Sequence, residues 1–211
     1  MKIFWVVVLS VVSTLAVVAV GFAIWGAFLA AQPQVTPTPT FTPQPTATPQ
    51  IVLPNTFEEQ NFGYHIHYPA DWVITKPNEH TVVISGAPGT DAYYSTISIQ
   101  HLLSTSQGGK YANFHEVVDD VKSQIATGST DVSIQNDQSF NLTLANGQIL
   151  VGQQFTAQYT RSGQISVERV VVVPSSNAES FFVWAYTSPA SQVNTYLAIA
   201  NAILSSWVIT K

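Results

Sequence analysis

The chain has 211 residues and no cysteine, so disulfide bonds, thiolate metal sites and a thiol nucleophile are excluded. The net charge is −5, and the part after residue 53 carries twelve acidic but only six basic side chains. Nucleic-acid binding usually requires a basic face, which six scattered basic residues do not supply, so we expect no nucleic-acid partner.

Residues 1–31 are predicted to form a transmembrane signal anchor. Residues 3–31 contain no charged side chain, and at about 1.5 Å per residue they would form a helix of roughly 43 Å, longer than the ~30 Å hydrocarbon core. A cleavage site after Ala30 or Ala31 would place Phe28 or Leu29 at position −3, where a small residue is needed. We therefore expect an uncleaved anchor rather than a cleaved signal peptide.

Basic residues predict the orientation of this anchor. Lys2 precedes the apolar segment, and the next basic residue is Lys76. By the positive-inside rule the N-terminus lies in the cytoplasm. We expect a bacterial-type, single-pass protein of the cell membrane whose C-terminal domain is extracytoplasmic.

Residues 32–53 are predicted to be a linker rich in proline and threonine. Six of residues 32–50 are proline and none is charged, a composition that disfavours both helix and sheet. A polyproline-like chain of this length would reach up to about 60 Å. We interpret it as a spacer, with an O-glycosylated stalk and a ligand for a proline-binding module as the alternatives.

The globular domain is predicted to span residues 54–211 and to begin with strands. Tyr64, Ile66 and Tyr68 alternate with His65 and His67, a period of two that is typical of a strand. Three more strands are predicted at residues 72–75, 81–85 and 96–101, with turn residues at 76–78 and with Ile97, Ile99 and His101 on one face.

A helix is predicted next, because apolar residues recur at helical spacing from Phe114 to Ile125. Asn113 and Glu116 have the spacing of a capping box, and Gly128 is placed to end the helix. A second helix is predicted to begin at Pro189, with Ser188 as its cap.

Long strands separate the two helices. They are predicted at residues 132–142, with an irregularity near 136–137, and at 149–159 and 165–173, with hairpin turns at 146–147 and 161–163. Residues 181–186 are apolar at every position, as in a central strand covered on both faces. Glu168 and Arg169 are adjacent in a strand and face opposite sides, so each is expected to find its own cross-strand partner or to lie at the sheet edge.

The resulting order, ββββ-α-ββββ-α, predicts the α+β class with a largely antiparallel sheet covered by helices. Residues 62–72, FGYHIHYPADW, resemble the opening strand and turn of the PsbP-like superfamily. The aromatic strand FFVWAY at 181–186, followed by a helix and a final strand near Trp207, resembles that family's C-terminal end. The family includes extrinsic proteins of the oxygen-evolving complex and bacterial lipoproteins. The resemblance implies an α/β/α sandwich and a non-enzymatic binding or assembly module.

His65 and His67 are the leading candidates for a metal site. Residues two apart in a strand project to the same face, so two imidazoles could share a divalent ion, with His80 or Glu79 as a further ligand. The alternative is a pair of polar positions on the less buried face of a strand. Under that alternative the protein has no cofactor.

Tyr93 and Tyr94 are the candidate interface residues. They lie in a segment rich in glycine, proline and aspartate, and aromatic side chains on loops are typical of protein interfaces.

No catalytic constellation is readable, because the chain contains neither a GxSxG motif nor a complete phosphate-binding loop. We therefore expect a membrane-tethered extracytoplasmic binding or assembly module without catalytic activity, with a protein partner at the cell surface. The alternative is a surface receptor domain for a metal or small ligand.

Overall fold

A computed structural model describes residues 51–210 of the chain. The predicted anchor and residues 32–50 of the predicted linker lie outside the described residues. Among residues 51–210, no helix is long and apolar enough to cross a membrane.

The described part contains ten strands, two α-helices and two short 3₁₀ turns. Helix α1 is Phe114–Ala126 and helix α2 is Val193–Ser205, and the turns are Asp91–Tyr94 and Thr105–Gln107. The strands are β1 Asn55–Glu59, β2 Tyr64–Tyr68, β3 Trp72–Asn78, β4 Thr81–Gly86, β5 Thr96–Leu103, β6 Thr130–Thr143, β7 Ile149–Arg161, β8 Gln164–Pro174, β9 Ser180–Pro189 and β10 Val208–Ile209.

Seven strands form the main sheet in the order β3-β4-β5-β9-β8-β7-β6, and every neighbouring pair is antiparallel. The β7–β8 hairpin turns through Ser162 and Gly163, both at positive φ, as a tight two-residue hairpin loop requires. The predicted irregularity in β6 is confirmed by a register shift between Gln135 and Gln138, where Asn136 has φ 54°. The predicted antiparallel α+β class is therefore confirmed.

Strand β9 lies in the middle of the main sheet, and both of its faces are buried, as its apolar sequence predicts. One face packs against α1 and the other against α2 and the second sheet. The residues on the first face are Phe181, Val183 and Ala185, and those on the second are Phe182, Trp184 and Tyr186. The main sheet thus separates two apolar cores.

Helix α1 begins where its cap was predicted. Asn113 Oδ1 accepts a hydrogen bond from the Glu116 N–H at 3.2 Å, and Glu116 Oε2 accepts one from the Ala112 N–H at 2.8 Å. These two bonds satisfy amides that the helix itself leaves without partners. The helix ends at Ala126, shortly before Gly128 at φ 74°.

A second sheet of three strands, β1-β2-β10, packs on the α2 side of the main sheet. Tyr64 and Ile66 of β2 point into the core between the sheets, together with Trp207 and Ile209. Strand β1 was not predicted, because Phe57 is its one apolar residue and its alternation is too short to recognise.

Two predicted boundaries are wrong. Residues 188 and 189 belong to β9, where they pair with Val167 and Ser166, and α2 begins only at Val193. Ser188 is buried, and its hydroxyl shares a hydrogen bond with Ser95 Oγ at 2.8 Å instead of capping a helix. Strand β8 pairs with β9 as far as Pro189, so β-sheet hydrogen bonding continues past the residues that local capping preferences would assign to a helix start. Similarly, residues 76–78 extend β3 as an irregular edge strand, a place in a sheet where proline is tolerated.

Candidate functional site

His65 and His67 lie side by side on β2, on the face opposite Tyr64 and Ile66. Their rings are 6.0 Å apart between centroids, and both are half-buried. His67 Nδ1 shares a hydrogen bond with Thr56 Oγ1 at 2.9 Å. The pairing of the two imidazoles on one face is as predicted, and metal binding by them stays a prediction.

The structure does not bring the third predicted ligand, His80, to this pair. His80 follows β3, and its ring stacks on Phe62 at 5.3 Å between centroids. Within residues 51–210 no group of three or more histidine, aspartate or glutamate side chains is arranged to hold one ion. Within residues 51–210, His80 therefore lies apart from His65 and His67, and metal binding by these histidines stays a prediction.

Instead, His80 belongs to a stack formed by the rings of Phe62, His80 and His101. The Phe62 ring lies 4.0 Å from the His101 ring, at 14° between the planes, and 5.3 Å from the His80 ring, and the two imidazole rings lie 6.1 Å apart. The loop that carries Phe62 is held by a hydrogen bond from the Gly63 N–H to the Glu59 carbonyl at 2.8 Å. Phe62 thereby covers the edge where β5 meets the turn after β3.

Two hollows open beside this stack, and Asn61 and Phe62 line both of them. The larger, about 660 Å³, is completed by the side chains of Lys76, Asn78, Glu79 and His80. The smaller, about 320 Å³, reaches His101 and Phe182 and has a polar rim of Gln107, Asn177 and Glu179. Phe62 thus lies between two hollows with polar rims.

An ion pair with one buried partner, Glu59, and one exposed partner, Lys76, lies near the stack. Glu59 is 4% exposed, and its Oε2 lies 2.5 Å from Lys76 Nζ. Lys76 thus supplies a charged hydrogen-bond partner for a carboxylate that lies almost entirely out of contact with water. This pair ties the end of β1 to the middle of β3.

His101 is buried in the same cluster, and its Nδ1 has no hydrogen-bond partner among the described residues. Burial lowers the pKa of His101 to about 4, the nearby His80 adds to this lowering, and Glu59 partly opposes it. The imidazole is therefore neutral at pH 7, and no carboxylate among the described residues orients it by a hydrogen bond.

Tyr93 and Tyr94 lie on the 3₁₀ turn between β4 and β5, and their side chains are 43% and 63% exposed. Their rings pack edge to face at 5.4 Å. The buried side chain of Ala92 packs against the backbone of Gly86. A Cβ at position 86 would lie 2.4 Å from the Ala92 Cβ, so the close packing of the turn depends on glycine at that position. The predicted interface residues are thus exposed on a firmly packed support.

Sequence reasoning did not single out Phe62, Glu59, Lys76 and His101 as a cluster. One signal was present, because His101 was predicted to share a strand face with two isoleucines, and all three residues are buried. The ring stack needs a loop, a turn and a strand that are far apart in the chain, so strand periodicity alone could not reveal it.

No protein-family model matches the sequence, and no curated protein is similar enough to count as a relative. Solved structures do match. The solution structure of cyanobacterial PsbP (CyanoP) from Synechocystis sp. PCC 6803 has a TM-score of 0.50 and 11% identity, covering 79% of this chain and 98% of that one. The Ran-binding protein Mog1p of Saccharomyces cerevisiae has a TM-score of 0.48, 10% identity, and coverage of 74% and 95%. LpqN of Mycobacterium tuberculosis, described as involved in cell envelope biogenesis, has a TM-score of 0.45, 15% identity, and coverage of 74% and 90%.

The likeness to CyanoP establishes the class of structure: the described domain has the PsbP-like fold. This confirms the resemblance indicated by the motif at residues 62–72 and by the aromatic strand β9. At 11% identity, the likeness establishes the fold and nothing further about function.

Proposed function

We propose that this protein is a membrane-tethered, extracytoplasmic binding or assembly module without catalytic activity, and that it contacts a protein partner through Tyr93 and Tyr94. The observation that supports the proposal is the firmly packed turn that exposes two large aromatic side chains. The predicted anchor and spacer supply the tether.

The tyrosine turn has the physical properties of an interface anchor. A tyrosine side chain offers a large apolar area and a polar hydroxyl, and it loses little rotamer freedom on binding. Because Ala92 already fixes the backbone of the turn, a partner would not have to order it. Two adjacent tyrosines on such a support are typical of the residues that dominate binding energy.

Site-specific photo-cross-linking tests this proposal in the native membrane. A photoreactive phenylalanine derivative at position 94 is expected to give a discrete cross-linked product with one protein. The matched control places the same residue at Ile165, which is 49% exposed and lies at the start of β8. The variant Tyr93→Ala/Tyr94→Ala should weaken co-purification of that partner about tenfold or more. Recovery of the domain without any product at position 94, or equal products at both positions, would refute the proposal.

A second candidate function is binding of a divalent metal ion at His65 and His67, which the 6.0 Å separation of their rings supports. Titration calorimetry with Zn²⁺ and Cu²⁺ should show heat that the double variant His65→Ala/His67→Ala lacks. The variant His115→Ala, which removes an exposed histidine from α1, should bind as the parent does. Absence of heat with the parent chain would end this candidate.

A further inference from the structure

Arg169 occupies a position that the proposed function does not use. It lies on β8, half-buried, on the face of the main sheet that packs against α2. Its Nη2 donates a hydrogen bond to Gln154 Oε1 at 2.9 Å, and its Nη1 donates a short one to Asn201 Oδ1. Both acceptors are neutral amides, so they orient the guanidinium without neutralising its charge.

No carboxylate pairs with Arg169 among residues 51–210, although this part of the chain is acidic. The ion pairs of the described residues use the three lysines at positions 76, 110 and 122. The other arginine, Arg161, donates instead to Ser129 and to two carbonyl groups at the end of α1.

Burial makes this missing partner costly. Removal from water lowers the pKa of Arg169, yet arginine remains protonated at physiological pH. Because the side chain is half-buried, part of this positive charge is withdrawn from water without a counter-ion, which is unfavourable. An anion that reaches Arg169 would relieve that cost.

A groove leads to the guanidinium from two sides. Arg169 and Asn201 line both of its halves, which measure about 350 and 580 Å³. Apolar side chains flank each half: Val193 and Leu197 of α2 in the smaller, and Phe140, Leu204 and Trp207 in the larger. The NH₂ groups of Gln154 and Asn201 make no hydrogen bond to any of the described residues, so they can donate to a ligand.

We propose that this groove binds an organic monocarboxylate, with the carboxylate on Arg169 and the apolar body against the walls formed by α2 and β6. The planar guanidinium fork matches a carboxylate, and three of its five N–H groups remain unused by protein acceptors. A single positive charge balances one negative charge. A phosphate dianion would enter an acidic domain with half of its charge uncompensated.

The chain contains only two arginines, and this makes a direct measurement possible. The Nε–Hε region of a ¹H–¹⁵N spectrum of the full-length chain in detergent micelles should hold two signals, Arg161 and Arg169, and Arg169→Gln assigns them. Titration with sodium butyrate is expected to move the Arg169 signal saturably and to leave the Arg161 signal in place. Butyramide, which has the same shape without the charge, should move neither.

Matched variants and competing anions complete the test. Arg169→Gln should weaken butyrate binding about tenfold or more, and Arg169→Lys should weaken it severalfold. In both variants binding is followed by the shifts of backbone amide signals in β7 and β8. Arg161→Gln should leave it unchanged. A tripeptide Ala-Val-Leu with an acetylated N-terminus and a free carboxylate distinguishes the source of the ligand. Saturation at tenfold lower concentration than butyrate indicates a peptide terminus, and equal saturation indicates a free small acid.

Three results would overturn the proposal. The first is equal shifts of both arginine signals, the second is an equal effect of butyramide, and the third is equal or tighter saturation by inorganic phosphate. The site uses none of the residues of the tyrosine turn or of the His65–His67 pair, so its failure leaves those proposals standing.

Discussion

At the residue scale, the environment of His101 couples packing to pH. The side chain is 8% exposed, with the Phe62 ring 4.0 Å away on one side and the Phe182 ring 5.1 Å away on another. A proton on this ring would put a charge among aromatic faces with no carboxylate partner in the described part of the chain. His101 is therefore harder to protonate in the folded domain than in the unfolded chain.

This difference predicts a loss of stability in mild acid. The folded pKa of His101 is about 4, below the ordinary value of 6.5, so between those pH values the unfolded chain binds a proton that the folded domain does not. The stabilisation is complete above pH 6.5 and is lost as the pH falls toward 4, by at most about 3 kcal/mol. In urea unfolding of a fragment of residues 51–211, His101→Phe should flatten the fall in unfolding free energy between pH 7 and pH 4.5.

The matched control for this measurement is His115→Gln, because His115 is exposed on α1. It should retain the full pH dependence of the parent. If His101→Phe and the parent lose stability in parallel as the pH falls, the acid sensitivity has another origin.

At the element scale, local signals located α1 correctly and α2 incorrectly. Asn113 and Glu116 cap α1 by hydrogen bonds within four residues, so the sequence alone contains the information. The start of α2 instead depends on how far β8 continues beside β9, and that pairing is long-range. Pro189 and Ser188 have the chemistry of a helix start, but the ladder and the buried contact with Ser95 override it.

The cap of α1 gives a quantitative prediction for an element. Asn113→Ala removes the side-chain acceptor of the Glu116 N–H and should lower the free energy of unfolding by about 1 kcal/mol. Thermal unfolding followed by circular dichroism measures this as a fall of several degrees in Tm. Asn113→Ser, which restores a capping oxygen, should recover most of the loss. If the serine variant is as unstable as the alanine variant, the cap does not account for the effect.

At the scale of the whole molecule, the class of fold was predictable but the candidate site was not. Several strands of the main sheet alternate apolar and polar residues, and the continuous apolar run 181–186 of β9 indicated a sheet covered on both faces. The ring stack joins the β1–β2 loop, the turn after β3 and the strand β5. The groove at Arg169 joins β6, β7, β8 and α2. No local pattern reports which of these segments meet, so the sequence predicted partners for Glu168 and Arg169 without identifying them.

The predicted topology of the full chain can be tested because the sequence contains no cysteine. A single introduced cysteine is the only thiol of this chain, so labelling of the purified chain after treatment of cells with a membrane-impermeant maleimide reports the side of the membrane on which that residue lies. Ala145→Cys places the thiol in the exposed turn between β6 and β7. Lys2→Arg/Ser10→Cys keeps a positive charge before the apolar segment and places the thiol within the predicted anchor.

The positive-inside rule assigns residue 145 to the outer side of the membrane. In spheroplasts, Ala145→Cys should therefore be labelled before lysis to the same extent as after it. The thiol at position 10 should stay unlabelled before lysis and react only when detergent dissolves the bilayer. Inverting the charge bias, by Lys2→Gln together with two lysines inserted after residue 31, should reduce labelling at position 145 in intact spheroplasts. Labelling at position 145 that requires lysis in the parent chain would contradict an extracytoplasmic domain, and with it the tethered binding module.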